Sequence, residues 1–148
     1  MAEQVGELME AYALDAVDFA REHFGYDLDY SVESVERVEQ ILARFHDELP
    51  SGLGKALRRG RPSEEQIEQQ AKVWGGYLGE VIRRRWGGTW TIPTEGPMAN
   101  AFCLKLGETL ISPPGKAYKR IVDGPGDSVS FYVAVLAEEL SDLRDSAT

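Results

Sequence analysis

The chain has 148 residues, a net charge of −9 and a single cysteine, which predict one domain whose core is large enough to fold without disulfide bonds. No apolar stretch approaches the length of a membrane span, and the N-terminal sequence MAEQVGELME lacks the basic and apolar segments of a signal peptide. We therefore expect a cytoplasmic protein that has no membrane partner.

The first two predicted elements are helices. Apolar residues from Val5 to His23 recur at helical spacing, and Gly25 ends that stripe. Ser31 is the predicted N-cap of the second helix, because a serine hydroxyl there can accept a hydrogen bond from the first turn. The apolar stripe of this second helix runs from Val32 to Leu49.

A basic loop and a third helix follow. Residues 50–62, PSGLGKALRRGRP, have the glycine, proline and charge content of a loop. Ser63 and Gln66 then form the S-x-x-Q pattern of a capping box, which marks the start of a helix. We expect this third helix to end near Trp86, because two glycines follow it.

Beyond the third helix, the apolar period changes from 3.6 to 2, which predicts an antiparallel meander. Gly107 and Glu108 form its hairpin turn. A short helix near residues 115–122 and a last helix capped by Asp127 complete the chain. The predicted strands cover residues 89–92, 101–106 and 109–112. This order predicts an α+β fold in which three N-terminal helices, a three-stranded antiparallel sheet and two C-terminal helices form a single sheet layer covered by helices.

Three glycines interrupt the apolar face of the third helix. Each of Gly75, Gly76 and Gly79 destabilises a helix interior by about 1 kcal/mol relative to alanine. We therefore expect close packing at this flank, because glycine lets a backbone or a flat ring approach nearer than a side chain would allow. The packing element is either the last helix, the strand that carries Trp90, or an external ligand or partner.

Glu80 follows these glycines and has two interpretations. In the first, it forms an exposed ion pair with Arg84 at i,i+4. In the second, it is a partly buried carboxylate that faces a basic group from elsewhere in the chain and lines a ligand site. Burial alone would raise its pKa, whereas a nearby arginine would lower it. The second interpretation gives as candidate binding residues Tyr77, Glu80, Trp90, Lys119 and Arg120.

Three stretches carry a resemblance: WGGYLGEVI (74–82), GGTW (87–90) and PPGKAYKRIVDGPGDSVSFY (113–132). They resemble a family of small uncharacterised bacterial domains of unknown function, which share a G-x-Y-x-G-E helix, a G-G-x-W strand and a basic segment before a proline-containing turn. Some members of such families resemble immunity proteins encoded beside secreted toxins. The resemblance covers residues from about 70 to 135 and implies no reaction. The signature positions that it implies are Glu80, Trp90 and Arg120.

The sequence shows no recognisable catalytic or metal-binding motif. His23 and His46 lie on different predicted helices and lack metal-ligand spacing. Cys103 alternates with apolar residues in a predicted strand, as a small core residue does. Asp127 and Ser128 at a helix start are typical of capping residues. We therefore expect no catalytic residue, no metal and no cofactor.

The acidic residues are concentrated in the N-terminal third. Residues 1–50 hold 13 acidic and 3 basic residues, whereas residues 51–92 hold 4 and 8. This distribution favours either a solvated surface or a basic protein partner. Two basic groups, with Trp86 and Trp90 near the second, could bind phosphate or single-stranded nucleic acid; they are Arg58, Arg59 and Arg61, and Arg83, Arg84 and Arg85. Arginines at a helix end also complement the helix dipole, and the overall acidity argues against a nucleic-acid partner.

These features predict a non-enzymatic protein-binding module, of the type of an immunity protein that neutralises a toxin. The first alternative is a small-ligand or peptide-binding domain with a Glu/Trp/Arg pocket. The second is an architectural subunit of a larger assembly.

Overall fold

The computed structural model describes residues 2–49 and 62–147, with side chains described for 3–49 and 62–141. Within that part of the chain, the predicted order of helices and strands is confirmed. Most of the predicted loop at 50–62 lies outside the described residues. The helices are α1 (Ala2–Phe24), α2 (Val35–Glu48), α3 (Glu64–Trp86), α4 (Pro113–Asp123) and α5 (Val129–Ala147), and the strands are β1 (Thr89–Thr91), β2 (Cys103–Leu106) and β3 (Thr109–Ile111).

Local side-chain hydrogen bonds set several helix starts. At α3, the Ser63 hydroxyl accepts from the Gln66 backbone N–H at 3.1 Å and the Gln66 side chain accepts from the Ser63 backbone N–H at 2.8 Å, so the predicted capping box is confirmed. Ser31 caps a short 3₁₀ turn that leads into α2. The helix expected at residues 115–122 begins earlier, because Ser112 caps it and two prolines fit its first turn.

The predicted cap of the last helix is wrong. Asp127 ends a 3₁₀ turn and forms an ion pair with Lys116 at 3.3 Å instead. Ser128 takes the capping role, since its hydroxyl accepts from the Phe131 backbone N–H at 3.1 Å. The start of α5 is thus displaced by one residue from the predicted position.

The three strands form an antiparallel meander in the order β1-β2-β3. Leu104 in the central strand pairs with Trp90 on one side and with Ile111 on the other. All three side chains are buried, because this face of the sheet packs against helices α1, α3 and α4. Gly107 has a φ of 61° at the predicted two-residue turn, a conformation that glycine adopts without strain.

Helix α3 is the centre of the fold. Every residue from Val73 to Ile82 is buried, so this part of the helix is covered by protein on all sides. Helices α1 and α4 make most of the contacts with α3, and the sheet covers part of the rest. The three polar side-chain groups within this buried stretch, on Trp74, Tyr77 and Glu80, therefore need partners inside the protein.

Candidate functional site

The three glycines of α3 let three different elements approach its backbone. A Cβ on Gly75 would overlap the backbone of Pro114 at the start of α4, and one on Gly76 would lie 2.9 Å from the Cβ of Tyr12 on α1. A Cβ on Gly79 would overlap the benzene ring of Trp90 in β1. The close approach is therefore internal and includes the strand that carries Trp90. Of the internal candidates named from the sequence, the strand that carries Trp90 packs here, whereas α4 and α1, and not the last helix, make the other two approaches.

Glu80 lies beside the Trp90 ring and is 1% exposed. Its Oε2 atom accepts from Arg83 Nε at 2.7 Å and from the indole Nε1 of Trp90 at 2.9 Å, while Oε1 accepts from Arg83 Nη2 at 2.9 Å. Arg84 Nε lies 3.6 Å from Oε1, which is beyond normal hydrogen-bond distance. The dominant ion pair therefore spans i,i+3 to Arg83, with the expected i,i+4 pair to Arg84 as a weaker contact.

The Glu80 carboxylate is held in its charged form. Burial alone would raise its pKa, but the hydrogen bonds from Arg83 and Trp90 and the charges of both arginines outweigh that effect and keep the pKa below its ordinary value. The same hydrogen bond raises the pKa of the Arg83 guanidinium. Glu80 is therefore a stably ionised acid with both oxygens in use, which suits a structural role better than proton transfer.

The expected approach of Lys119 or Arg120 to Glu80 is wrong. Arg120 is buried in α4, where its Nε donates to Glu39 Oε2 of α2 at 2.5 Å. Lys119 is the preceding residue of the helix and is exposed. Because neighbouring helical residues point about 100° apart, Arg120 faces the core and Lys119 faces solvent. Of the five candidate binding residues, Glu80 and Trp90 are thus brought together, and the other three lie elsewhere.

Glu39 of α2 is a second acidic residue that accepts several hydrogen bonds, and it was not among the candidates predicted from the sequence. Its Oε1 atom accepts from the Ser128 hydroxyl at 2.9 Å and from the backbone N–H groups of Val129 and Ser130 at 2.7 and 3.2 Å. Burial alone would raise its pKa, but these bonds and the one from Arg120 hold the pKa below its ordinary value. A signal was present in the sequence, since Glu39 lies four residues after the buried Val35 at the edge of the apolar stripe.

Tyr77 belongs to a separate hydrogen-bonded group. Its hydroxyl accepts from the Tyr30 backbone N–H at 2.8 Å and lies 2.6 Å from Ser34 Oγ. The Ser34 hydroxyl donates to the Ser31 carbonyl, so Tyr77 must donate to Ser34 because each hydroxyl has one proton. Burial raises the pKa of the Tyr77 phenol. The group fixes Tyr30, whose φ of 65° is uncommon for a residue other than glycine.

Three surface clefts lie around these groups. The first, of about 360 Å³, lies beside Trp90 and Arg83 and is bordered by Glu3, Glu7 and Glu10 of α1. The second, of about 280 Å³, lies between α2 and α3 and is lined by Phe45 and Ile67. The third, of about 480 Å³, is lined by Tyr30, Arg84, Arg85 and Trp86. Tyr77, Glu80 and Arg120 line none of the three.

The chain was compared with known proteins through its sequence and its fold. No family model, curated protein or solved structure matches it.

The described part of the chain offers little that supports catalysis. Across residues 2–49 and 62–147, no three His, Cys, Asp or Glu side chains come together as a metal site would require. Cys103 is buried, and burial raises the pKa of its thiol, which disfavours the nucleophilic thiolate. None of the described helices has the length and apolarity needed to cross a bilayer. The described residues do provide an acidic surface on α1 and a cleft lined by Arg84 and Arg85.

Proposed function

We propose that this chain is a non-enzymatic protein-binding module that binds a basic protein through the exposed face of α1, in the manner of an immunity protein that neutralises a toxin. The observation that carries the proposal is the set of six acidic side chains on this helix. All six are exposed, and none forms an ion pair with a described side chain. They are Glu3, Glu7, Glu10, Asp15, Asp18 and Glu22.

Unpaired carboxylates on one helix face repel one another, so their presence needs a reason beyond the stability of the helix. A basic partner would relieve this repulsion and would be drawn to the surface by the complementary field. Leu8 and Leu14 add apolar area to the same helix, since they are 42% and 55% exposed. A partner docked on this face of α1 would cover both side chains.

The small-ligand alternative loses its basis at the predicted pocket. Both oxygens of Glu80 are occupied by Arg83 and Trp90, and Arg120 is engaged by Glu39. Glu80 therefore has little capacity left for a ligand, and Arg120, which is 4% exposed and bonded to Glu39 through Nε, does not share a pocket with it. We propose the cytoplasm as the location, which suits a chain whose single Cys103 is a free, buried thiol.

The experiment is a pull-down from the source cell with three matched baits. The first is the wild-type protein, the second carries Glu7→Gln, Asp15→Asn and Asp18→Asn, and the third is a control that loses the same number of charges elsewhere. The control substitutions are Glu108→Gln, Glu138→Gln and Glu139→Gln, all at exposed positions of β2-β3 and α5.

We expect the wild type and the control to recover one basic protein at equal stoichiometry, and the α1 variant to lose it. Recovery should also weaken as salt is raised, because the attraction between exposed charges is screened. A toxin gene beside the gene for this chain would supply the first partner to test. The proposal is wrong if the wild type recovers no stoichiometric partner, or if all three baits recover it equally.

A further inference from the structure

The cleft of about 480 Å³ between the α1–α2 connection, the end of α3 and helix α5 has a different character from the acidic face. Its volume is within the range of pockets that bind small molecules. Two guanidinium groups line it in a chain whose net charge is −9. The lining residues that carry the argument are Tyr30, Ser31, Glu33, Arg84, Arg85 and Trp86.

The positive charge of Arg84 is not fully neutralised by the acidic residue of its own helix. Arg83 already occupies both oxygens of Glu80 at 2.7 and 2.9 Å, and Arg84 Nε remains at 3.6 Å from that carboxylate. One acid therefore faces two arginines, and the Arg84 side chain is 39% exposed. Its N–H donors remain able to bind another acceptor.

Both arginines of the cleft are held against aromatic rings. The guanidinium carbon of Arg84 lies 3.6 Å from the centre of the Tyr30 ring, and that of Arg85 lies 5.6 Å from the centre of the Trp86 ring. The negative end of the helix dipole accounts for cations in the last turn of α3, but it does not require this stacking. Stacking restricts both side chains, so less entropy is lost when they bind an anion.

The backbone conformation of Tyr30 is also part of this arrangement. Its φ of 65° is costly for a tyrosine, and the conformation is fixed by the hydrogen bond from its N–H to the buried Tyr77 hydroxyl. In this conformation, the Tyr30 ring lies beneath the guanidinium group of Arg84. Backbone outliers that the surrounding structure enforces are concentrated at binding sites.

We propose that this cleft binds a small organic oxyanion, a molecule that carries a phosphate or carboxylate group on an apolar body. The oxyanion lies against Arg84 and Arg85, whose planar forks match its geometry. The apolar body packs against Val32 and Trp86, which also line the cleft. Glu33 also lines the cleft, so the anionic group binds on the side of the arginines and away from that carboxylate.

The test is a calorimetric titration of the full chain with phenyl phosphate and with benzoate, accompanied by NMR observation of the Trp86 indole N–H. We expect saturable binding of at least one probe and a shift of the Trp86 signal. Arg84→Gln and Arg85→Gln should each weaken binding by roughly tenfold, the value of a lost hydrogen bond to a charged group. Because Arg85 is exposed, its variant folds normally even if the Arg84 variant does not, and thermal melts check both.

The matched control is Arg37→Gln, because Arg37 also stacks on a tyrosine, with its guanidinium carbon 5.1 Å from the centre of the Tyr26 ring. Arg37 does not line the cleft, so its variant should bind like the wild type. The inference is overturned if neither probe saturates, or if Arg37→Gln weakens binding as much as Arg85→Gln. The cleft and the α1 face use different residues, so this titration and the pull-down can fail independently.

Discussion

The benzene ring of Trp90 occupies the space that a Cβ on Gly79 would need. The same side chain reaches past that glycine to donate from its indole nitrogen to Glu80. The small size of residue 79 and the hydrogen bond at residue 80 are therefore two parts of one contact. This contact joins the central helix to the first strand of the sheet.

Enlarging residue 79 should destabilise the protein. Gly79→Leu must displace the Trp90 ring, and we expect a loss of about 3 kcal/mol, at the upper end of overpacking effects. Gly6→Ala is the control, because a Cβ there meets nothing within 4 Å and alanine is favoured by about 0.5–1 kcal/mol in a helix. Urea unfolding measures both. A thermal melting temperature of Gly79→Leu within about a degree of the wild-type value would contradict the packing.

Removing the charge of Glu80 should also destabilise the fold. Glu80→Gln leaves the Arg83 guanidinium without its carboxylate, and we expect a loss of about 1–3 kcal/mol. If Glu80 lined a ligand site, as one sequence interpretation held, the same change would leave folding nearly intact. Glu108→Gln in the exposed hairpin turn is the control and should change stability by less than about 0.5 kcal/mol.

Lowering the pH should destabilise the folded state, because Glu39 and Glu80 become protonated. The pKa of each carboxyl is below its ordinary value of 4.5 in the folded state, so the folded state binds fewer protons than the unfolded state. Their stabilising effect is therefore complete above the unfolded pKa and is lost as pH falls through the folded pKa. We expect the urea midpoint to decline from about pH 5 downward.

Glu39→Gln is the variant that assigns this pH dependence. It should lower the midpoint at pH 7 and make the decline below pH 5 shallower, because one of the two groups no longer titrates. Glu36→Gln on the exposed face of the same helix should keep the wild-type profile. A Glu39→Gln profile parallel to that of the wild type would remove Glu39 from the explanation.

The Tyr77 hydroxyl should matter more than a surface hydroxyl. Tyr77→Phe leaves the Tyr30 N–H and the Ser34 hydroxyl without this partner, and we expect a loss of about 1–3 kcal/mol. Tyr26→Phe removes an exposed hydrogen bond to Gln40 and should have a much smaller effect. Thermal unfolding of the two variants gives the comparison, and equal losses would be evidence against the buried group.

The thiol of Cys103 should react slowly in the folded protein. It is buried, and burial raises its pKa, so both access and thiolate formation are disfavoured. A disulfide reagent monitored by absorbance should modify it within minutes in urea and far more slowly in buffer. Equal rates in the two solutions would show that β2 opens readily.

The order of elements could be predicted because the signals for it are local. The apolar period, the Ser63–Gln66 capping box and the Gly107 turn each lie within a few residues of the feature that they determine. The local signals predicted the start of α5 one residue too early. Asp127 and Ser128 are both good capping residues, and their tertiary partners differ: Lys116 pairs with Asp127, whereas Glu39 accepts from Ser128.

The pairing of buried charges could not be predicted in this way. Arg120 had 25 acidic residues as candidate partners, and the choice depends on how α2 and α4 pack. Gly75, Gly76 and Gly79 of α3 did indicate close approach, but not that three separate elements would make it. The sequence indicated Arg84, Arg85 and Trp86 as a group that could bind phosphate, but it did not indicate Tyr30, which is 54 positions from Arg84 and meets it only in the fold.

The carboxylate of Glu39 closes the amino end of α5 from a position 90 residues earlier in the chain. During synthesis on the ribosome, the N-terminal part of a chain emerges first. The acceptor for the last helix is thus already outside the exit tunnel when Val129 and Ser130 appear. In a fragment that ends before Ser128, Glu39 would keep only Arg120 as its partner. The C-terminal helix therefore supplies the remaining hydrogen-bond donors to this carboxylate.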